Sequence, residues 1–197
     1  NDTHHLLMMT FVLQPDALVW PRDEEGKVSL KLDRLTALNG IEHVGAHTAL
    51  SDVKAMVALV DRLRREQPHV WARWRASENR FDTERIIKGS EGFWQLARSN
   101  GRDRLYAAPL VPLITDVKNK KRYICVDAGL PLHALTNASP DDIVRAIAFY
   151  DGSEAHKEIR RLIRDVKTNE APILVTGADM PVEAKVEQRA DFGKNYK

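Results

Sequence analysis

The sequence is short of cysteine, of net charge and of long apolar runs. Its one cysteine, Cys125, excludes an internal disulfide framework and suits a reducing compartment, so we expect a cytoplasmic protein. Cys125 stands in the apolar run RYICVDAG, which predicts a buried strand residue rather than a reactive thiol. Since no apolar run approaches the ~18 residues of a membrane span, we expect no membrane partner.

Charge and composition set further limits. The 30 basic and 28 acidic residues leave a net charge of +2, so any affinity for nucleic acid must come from a local patch. Hydrophobic residues make up 43% of the 197 residues, which is enough for a core in one or two compact domains. The first residues carry neither a basic segment nor an initiator methionine, so we predict the interior of a longer chain rather than a signal peptide.

Helical patterns dominate the first 66 residues. Residues 4–14 predict a buried helix that stops before Pro15, and residues 46–66 predict a long amphipathic helix that ends before Pro68. The second of these helices should turn one broad apolar face to its neighbours, made of Ala49, Leu50, Val53, Met56, Val57, Val60 and Leu63. Between them, leucines at a mostly helical spacing precede Gly40, which stands where a glycine just beyond a helix C-terminus belongs.

Strand patterns appear after residue 103. The predicted strands are 104–114, 121–128 and 171–176, and the predicted helices are 139–150 and 153–166, the last with Ile163 and Val166 inward. Residues 67–103 predict a helix and then irregular connections. The composition favours an α+β fold of two units joined near residue 67.

Two basic or aromatic clusters of the second unit each allow two interpretations. Trp71 and Trp74 either pack at the junction of the two units or offer stacking platforms to single-stranded bases. A basic stripe is either a solvated helix face or a phosphate track, and its members are Lys157, Arg160, Arg161 and Arg164.

A histidine and a carboxylate near the start of the long helix are the candidate chemistry. At ~100° per residue, His47 and Asp52 project within roughly 140° of each other, so both can address one point at the helix N-terminal end. A carboxylate can hold Mg²⁺ and a histidine can deprotonate a water, which together suit metal-assisted phosphodiester hydrolysis. The spacing alone also fits an exposed histidine and an unrelated helical aspartate.

The residues around this pair resemble a known family. The segment LKLDRLTALNGIEHVGAHTALSDV, residues 30–53, resembles the last motif of the DEDDh exonucleases, most closely the bacterial exodeoxyribonuclease I family. Four later segments follow in the order and spacing of that family's second domain: QP at 67–68, YAAPL at 106–110, CVDAG at 125–129 and NEAPIL at 169–174. The resemblance covers most of the chain.

The resemblance implies a fold and an activity. Residues 1–66 would be the C-terminal helical part of an RNase H-like exonuclease domain, and 67–197 a linker and an SH3-like β-barrel domain with inserted helices. The implied activity is 3′→5′ exonuclease digestion of single-stranded DNA with two Mg²⁺ ions. The implied partners are single-stranded DNA, single-strand-binding protein and a missing N-terminal nuclease fragment.

Site residues also follow from the resemblance. His47 would be the general base and Asp52 a ligand to one of the two Mg²⁺ ions. DNA contacts would come from Asn39, Gly40, Ile41, Lys88 and Tyr106.

The family's other acidic motifs precede the point where this chain begins. FDTE, at residues 81–84, spells the first of them, but it follows the final motif and a polar segment, so we interpret it as a solvated turn or helix start. With one of four metal carboxylates, the isolated chain should not digest DNA. The alternative is a non-enzymatic, degenerate module that binds single-stranded DNA or a protein.

Overall fold

The computed structural model describes residues 2–44, 48–89, 91–148 and 152–181. Within them the chain forms eight α-helices, two short 3-10 helices and five strands. The helices are α1 (Thr3–Leu13), α2 (Leu32–Leu38), α3 (Ala49–Glu66), α4 (Pro68–Ala76), α5 (Arg80–Lys88), α6 (His133–Thr136), α7 (Pro140–Ala148) and α8 (Glu154–Leu162). The strands are β1 (Phe93–Leu96), β2 (Ala107–Thr115), β3 (Arg122–Asp127), β4 (Ile163–Lys167) and β5 (Ile173–Thr176).

Local chemistry sets the ends of the first helices. Asp2 caps α1 by accepting the His4 N–H at 2.9 Å, and α1 ends at Leu13, before Pro15, as the sequence predicted. α3 follows Thr48, and Pro68 takes the first position of α4, where its missing N–H costs nothing. The predicted start of α3 at Ala46 lies outside the described residues.

The strands form one antiparallel sheet in the order β4-β3-β2-β1-β5. β1 to β4 follow one another as neighbours, and β5 returns to pair with β1, Phe93 opposite Thr176 and Leu96 opposite Ile173. The α+β class is therefore confirmed. Helices α6 to α8 are inserted between β3 and β4.

Two strands were missed in the sequence. β1 lies in a segment predicted as irregular, and β4 occupies residues that were predicted to continue the last helix. Helix α8 stops at Leu162, and β4 then pairs antiparallel with β3 from Ile163↔Val126 to Lys167↔Arg122. Val166 is inward, as predicted, but as a strand residue. Pairing with a distant strand overrides the local helical spacing here.

The sheet packs on both faces. Alternate residues Leu96, Ala107, Ile173 and Val175 join a core cluster with α1, α3 and α4. Their neighbours Phe93, Ala108, Leu110, Cys125 and Leu174 join a second cluster that includes Ile87 of α5. The first cluster runs across residue 67, so the two predicted units share a core; the boundary itself stays a prediction.

The tryptophans belong to the first cluster. Trp74 is buried, Trp71 packs against the cluster, and their ring centroids are 4.9 Å apart. The core-packing interpretation is therefore confirmed for both. Ion pairs also join the two predicted units: Asp23 pairs with Arg102, and Lys27 lies 2.9 Å from Asp103.

A buried carboxylate ties β3 to its neighbours. Asp127 is fully buried and accepts two hydrogen bonds from Arg104, at 2.6 and 2.8 Å, and two from Arg164, at 3.3 and 3.4 Å. It also accepts the Gly129 N–H at 3.1 Å. Arg164 is thus a β4 residue with a structural partner, which corrects its assignment to a basic helix face.

Cys125 lies in β3 and is fully buried, as predicted. Burial, with a smaller effect from Asp165, raises the pKa of its thiol to about 12. Since the thiolate is the reactive form, we expect no alkylation of the native protein by iodoacetamide at pH 8, and complete alkylation in denaturant. Mass spectrometry of both samples checks this, and rapid native labelling would contradict the buried position.

Among the described residues, no helix combines the length and the apolar character needed to cross a bilayer.

Candidate functional site

Asp52 lies in the first turn of α3 and has a buried partner. The Nε2–H of His43 donates to its Oδ1 at 2.8 Å. The His43 side chain is 8% exposed and the Asp52 side chain 40% exposed. The carboxylate therefore stands at the edge of the protein, with the imidazole behind it.

His43 is held on its other side by α2. Its Nδ1 lies 3.1 Å from Oγ1 of Thr36, a fully buried residue. The Thr36 hydroxyl also lies 2.8 Å from the Leu32 carbonyl oxygen and 3.0 Å from that of Asp33, both within α2. Thr36, His43 and Asp52 thus form one hydrogen-bonded row from α2 to α3.

The turn after α2 positions this row. Gly40 has φ of +64°, and the Ile41 N–H donates to the Thr36 carbonyl at 3.0 Å, which is the hydrogen bond of a Schellman helix end. The predicted role of Gly40 beyond the helix C-terminus is confirmed. A hydrogen bond also joins the loop after α2 to α3, since the Ser51 hydroxyl donates to the Val44 carbonyl at 2.6 Å.

The Asn39 side chain stabilises the same turn by hydrogen bonds to the backbone. Its amide nitrogen donates to the carbonyls of Val19 and Leu35, at 2.9 and 2.8 Å, and its Oδ1 accepts the Val19 N–H at 2.9 Å. Arg62 donates to its backbone carbonyl at 2.9 Å. The Asn39 amide is therefore bound within the protein, while Gly40 is exposed and Ile41 packs against the core. A DNA contact at residues 39–41 stays a prediction that fits Gly40 best.

His47 lies outside the described residues, so its predicted position beside Asp52 stays a prediction. Sequence reasoning missed His43 as the partner of Asp52. Its signal was present in the segment NGIEH, but helical spacing says nothing about a side chain that reaches α3 from a loop.

Lys88 and Tyr106 have their contacts elsewhere. Lys88, at the end of α5, is exposed and donates to Glu84 at 3.3 Å; this bond, and a smaller effect from Tyr123, raise the pKa of its ammonium group. Tyr106 is buried and forms a T-shaped contact with His4, 6.3 Å between ring centroids, and burial raises the pKa of its hydroxyl. The proposed DNA contact is therefore easier for the exposed Lys88 than for the buried Tyr106.

The segment FDTE is a helix start, as predicted. Residues 81–84 lie in the first turns of α5, whose cap is Asn79. Asp82 pairs with Arg85 at 3.2 Å, and Glu84 pairs with Arg80 at 3.2 Å and Lys88 at 3.3 Å. These carboxylates face arginines and a lysine of their own helix.

The described residues do not make a metal site by themselves. No group of three or more histidine, cysteine, aspartate or glutamate side chains among them is arranged to hold a metal ion. Asp52 contributes one carboxylate, and its Oδ1 is engaged by His43. Because Mg²⁺ needs several oxygen ligands, this part of the chain does not fit a complete magnesium site.

Helix α3 carries a second apolar surface, on the side away from its buried residues. Its buried residues are Ala55, Leu59 and Leu63, and of these only Leu63 belongs to the apolar face that the sequence predicted. Leu50, Val53 and Val57, which the prediction also placed on that face, are 67%, 56% and 62% exposed. We call these three residues the α3 stripe. Single exposed apolar residues are ordinary, but three that share one face of a helix indicate an interaction surface.

Comparisons with known proteins show which proteins this chain is similar to in sequence and fold. No family model matches the chain. Exodeoxyribonuclease I of Escherichia coli is 34% identical over 70 residues, which are 36% of this chain and 15% of that protein. Exodeoxyribonuclease I of Buchnera aphidicola subsp. Baizongia pistaciae is 23% identical over 195 residues, which are 97% of this chain and 39% of that protein.

Solved structures share the fold. E. coli exonuclease I in complex with a dA16 oligonucleotide has a TM-score of 0.80 at 21% identity, over 95% of this chain and 40% of that chain. The structure of SSB/exonuclease I in complex with the inhibitor CFAM has a TM-score of 0.79 at 20% identity, over 95% of this chain and 39% of that chain. The predicted resemblance to the C-terminal part of exodeoxyribonuclease I is thereby confirmed, and this chain spans less than half of each of these proteins.

Proposed function

We propose that the chain is the C-terminal part of a 3′→5′ exonuclease that hydrolyses single-stranded DNA. The observation that carries the proposal is the match to an exodeoxyribonuclease I across 97% of the chain. Asp52 supports it, because its carboxylate is held at the protein edge at the start of α3. In this proposal His47 takes the proton of the attacking water, and Asp52 is one of several metal-binding carboxylates.

Magnesium belongs to the proposal through the family resemblance. The described residues do not complete a site for it, so the remaining ligands must come from another polypeptide segment. Such a segment would be the N-terminal nuclease part that the relatives, more than twice as long as the matched region, have room for.

The second unit would close a groove over the DNA strand. We propose that residues 67–197 are a linker and an SH3-like barrel with inserted helices, joined at residue 66 to the end of an RNase H-like domain. The strand order supports it, since a four-strand meander whose fifth strand returns beside the first can curl into a small barrel. Lys88 and Gly40 are exposed and would contact the DNA strand directly. Asn39, Ile41 and Tyr106 would shape the path of the DNA.

Partners follow from the same comparison. We propose single-stranded DNA and single-strand-binding protein as partners in the cytoplasm, because a solved structure that shares this fold is of SSB/exonuclease I. The α3 stripe supports a third partner, an N-terminal nuclease segment.

A chimera tests the function. In it, this chain replaces the matched part of E. coli exodeoxyribonuclease I, and digestion of a 5′-labelled single strand is followed on gels with Mg²⁺. We expect nucleotide release from the 3′ end by the chimera and none by the isolated chain. A folded chimera, as judged by circular dichroism, that binds the strand without shortening it would favour the non-enzymatic module instead.

The α3 stripe gives a prediction for assembly. Val53→Asp should weaken binding of this chain to a separately produced N-terminal segment at least tenfold, since burying one such side chain contributes about 1.5–3 kcal/mol. Isothermal titration measures the change. Val117→Asp, at an 80% exposed site on the β2–β3 loop, is the matched control and should bind like the parent chain. Equal binding by both variants would remove the stripe from the interface.

A further inference from the structure

The hydrogen-bonded row Thr36–His43–Asp52 suggests a role for His43 that the family resemblance does not assign. We propose that His43 is a positioning residue, which fixes the orientation of the Asp52 carboxylate while Thr36 fixes the ring of His43. The inference rests on the proposed function, because it takes Asp52 to be part of the reaction centre.

The hydrogen-bond chemistry fixes the direction of the contact. A carboxylate only accepts hydrogen bonds, so the Nε2 of His43 must carry the hydrogen in the 2.8 Å contact with Oδ1. The imidazole is therefore the donor and Asp52 the acceptor. One oxygen of the carboxylate is thus pinned to a ring that cannot turn without breaking the bond.

Burial separates a supporting group from a reacting one. The His43 side chain is 8% exposed, whereas the Asp52 side chain is 40% exposed. The ring lies behind the carboxylate and is shielded from solvent, so a substrate would meet Asp52 first. A buried imidazole that donates to an exposed carboxylate is suited to orienting a metal ligand.

Thr36 anchors the ring to a helix. Its hydroxyl lies 3.1 Å from Nδ1 and accepts from that nitrogen when it carries a hydrogen; otherwise the hydroxyl can turn its own hydrogen from the Leu32 carbonyl to Nδ1. Thr36 is fully buried in α2, and the Schellman hydrogen bond from Ile41 also ends on its carbonyl. The support for Asp52 therefore extends to a rigid element, which holds a side chain more accurately than a loop.

The first test observes the contact directly in the isolated chain. With ¹⁵N-labelled histidine, the Nε2–H of His43 should give a slowly exchanging ring resonance, assigned by its loss in His43→Gln. We expect it to persist in Asp52→Asn, whose Oδ1 still accepts, and to disappear in Asp52→Ala. Asp61→Ala, on the same helix but paired with Arg64 and Arg65, is the matched control and should keep the signal. A wild-type chain without the resonance, or a resonance unchanged in Asp52→Ala, overturns the proposal.

The second test asks whether the contact matters to the reaction. In the chimera, His43→Ala should lower the digestion rate about 10–100-fold, the usual cost of losing such a support, and His43→Gln should restore part of it, since its amide can donate to Asp52. If His43→Ala digests at the parent rate while Asp52→Ala is inactive, the positioning role is wrong and the proposed function stands. If the parent chimera is inactive, the proposed function fails, and the ring resonance alone decides the contact.

Discussion

Replacing His47 by alanine in the chimera should lower the rate of digestion of 3′-ended single strands by about 10²–10⁴-fold, the usual contribution of a general base. The reason is that His47 is the proposed acceptor of the proton of the attacking water. Single-turnover kinetics on a 5′-labelled strand, with the chimera in excess, measure the step without interference from product release. Strand affinity should change little, because a general base acts on the water rather than on the DNA backbone.

A matched histidine serves as the control for this prediction. His133 is exposed at the start of α6, and His133→Ala should digest at the parent rate. Equal rates for the His47 and His133 variants would show that the base has been assigned to the wrong residue. The thermal unfolding curve of each variant excludes a loss of folding as the cause.

Replacing Asp127 by alanine should lower the free energy of unfolding by about 3–5 kcal/mol, the typical cost of removing one partner from a buried ion pair. Asp127 is fully buried, and its removal leaves the guanidinium groups of Arg104 and Arg164 facing each other without the charge between them. Urea unfolding followed by tryptophan fluorescence measures the change. Since a loss of this size is a large part of the stability of a typical domain, the variant should be partly unfolded at 37 °C.

The control for Asp127 is an exposed ion pair of the same sheet. Asp165 in β4 pairs with Arg122 at 2.6 Å, but its side chain is 41% exposed. Asp165→Ala should therefore cost only about 0–1 kcal/mol. If both variants lose the same free energy, burial is not what makes the Asp127 network important.

The elements that could be predicted from the sequence are those whose signals are local. Pro15 ends α1, Gly40 ends α2 and Pro68 ends α3, and each acts through its own backbone geometry. β1 and β4 could not be predicted in this way. β1 is four residues long, and β4 has apolar residues at positions 163 and 166, a spacing that also suits a helix. Both are strands because they pair with strands that are distant in sequence, β1 with β5 and β4 with β3.

The residues of the candidate site also differ in whether they carry a local sequence signal. Asp52 was singled out because it lies on a predicted helix, in a segment that resembles a known motif, and its role stays a prediction. His43 was missed because its contact with Asp52 depends on the path of the loop after Gly40, which no periodicity describes. Asn39 shows that a motif position does not reveal which partner a side chain has within the protein. Its position suggested a DNA contact, whereas its amide is bound to Val19 and Leu35.

The position of β5 beside β1 has a consequence for biosynthesis. Roughly 80 residues separate these paired strands, and a ribosome adds about 5–20 residues per second, so β1 waits about 4–16 s for its second neighbour. During that interval Phe93 to Leu96 offer an open edge and unburied apolar side chains to other nascent chains. Expression at low temperature lengthens this wait, whereas a chaperone that covers the emerging strand protects it, so recovery of native protein should depend more on chaperone supply than on the final stability of the sheet.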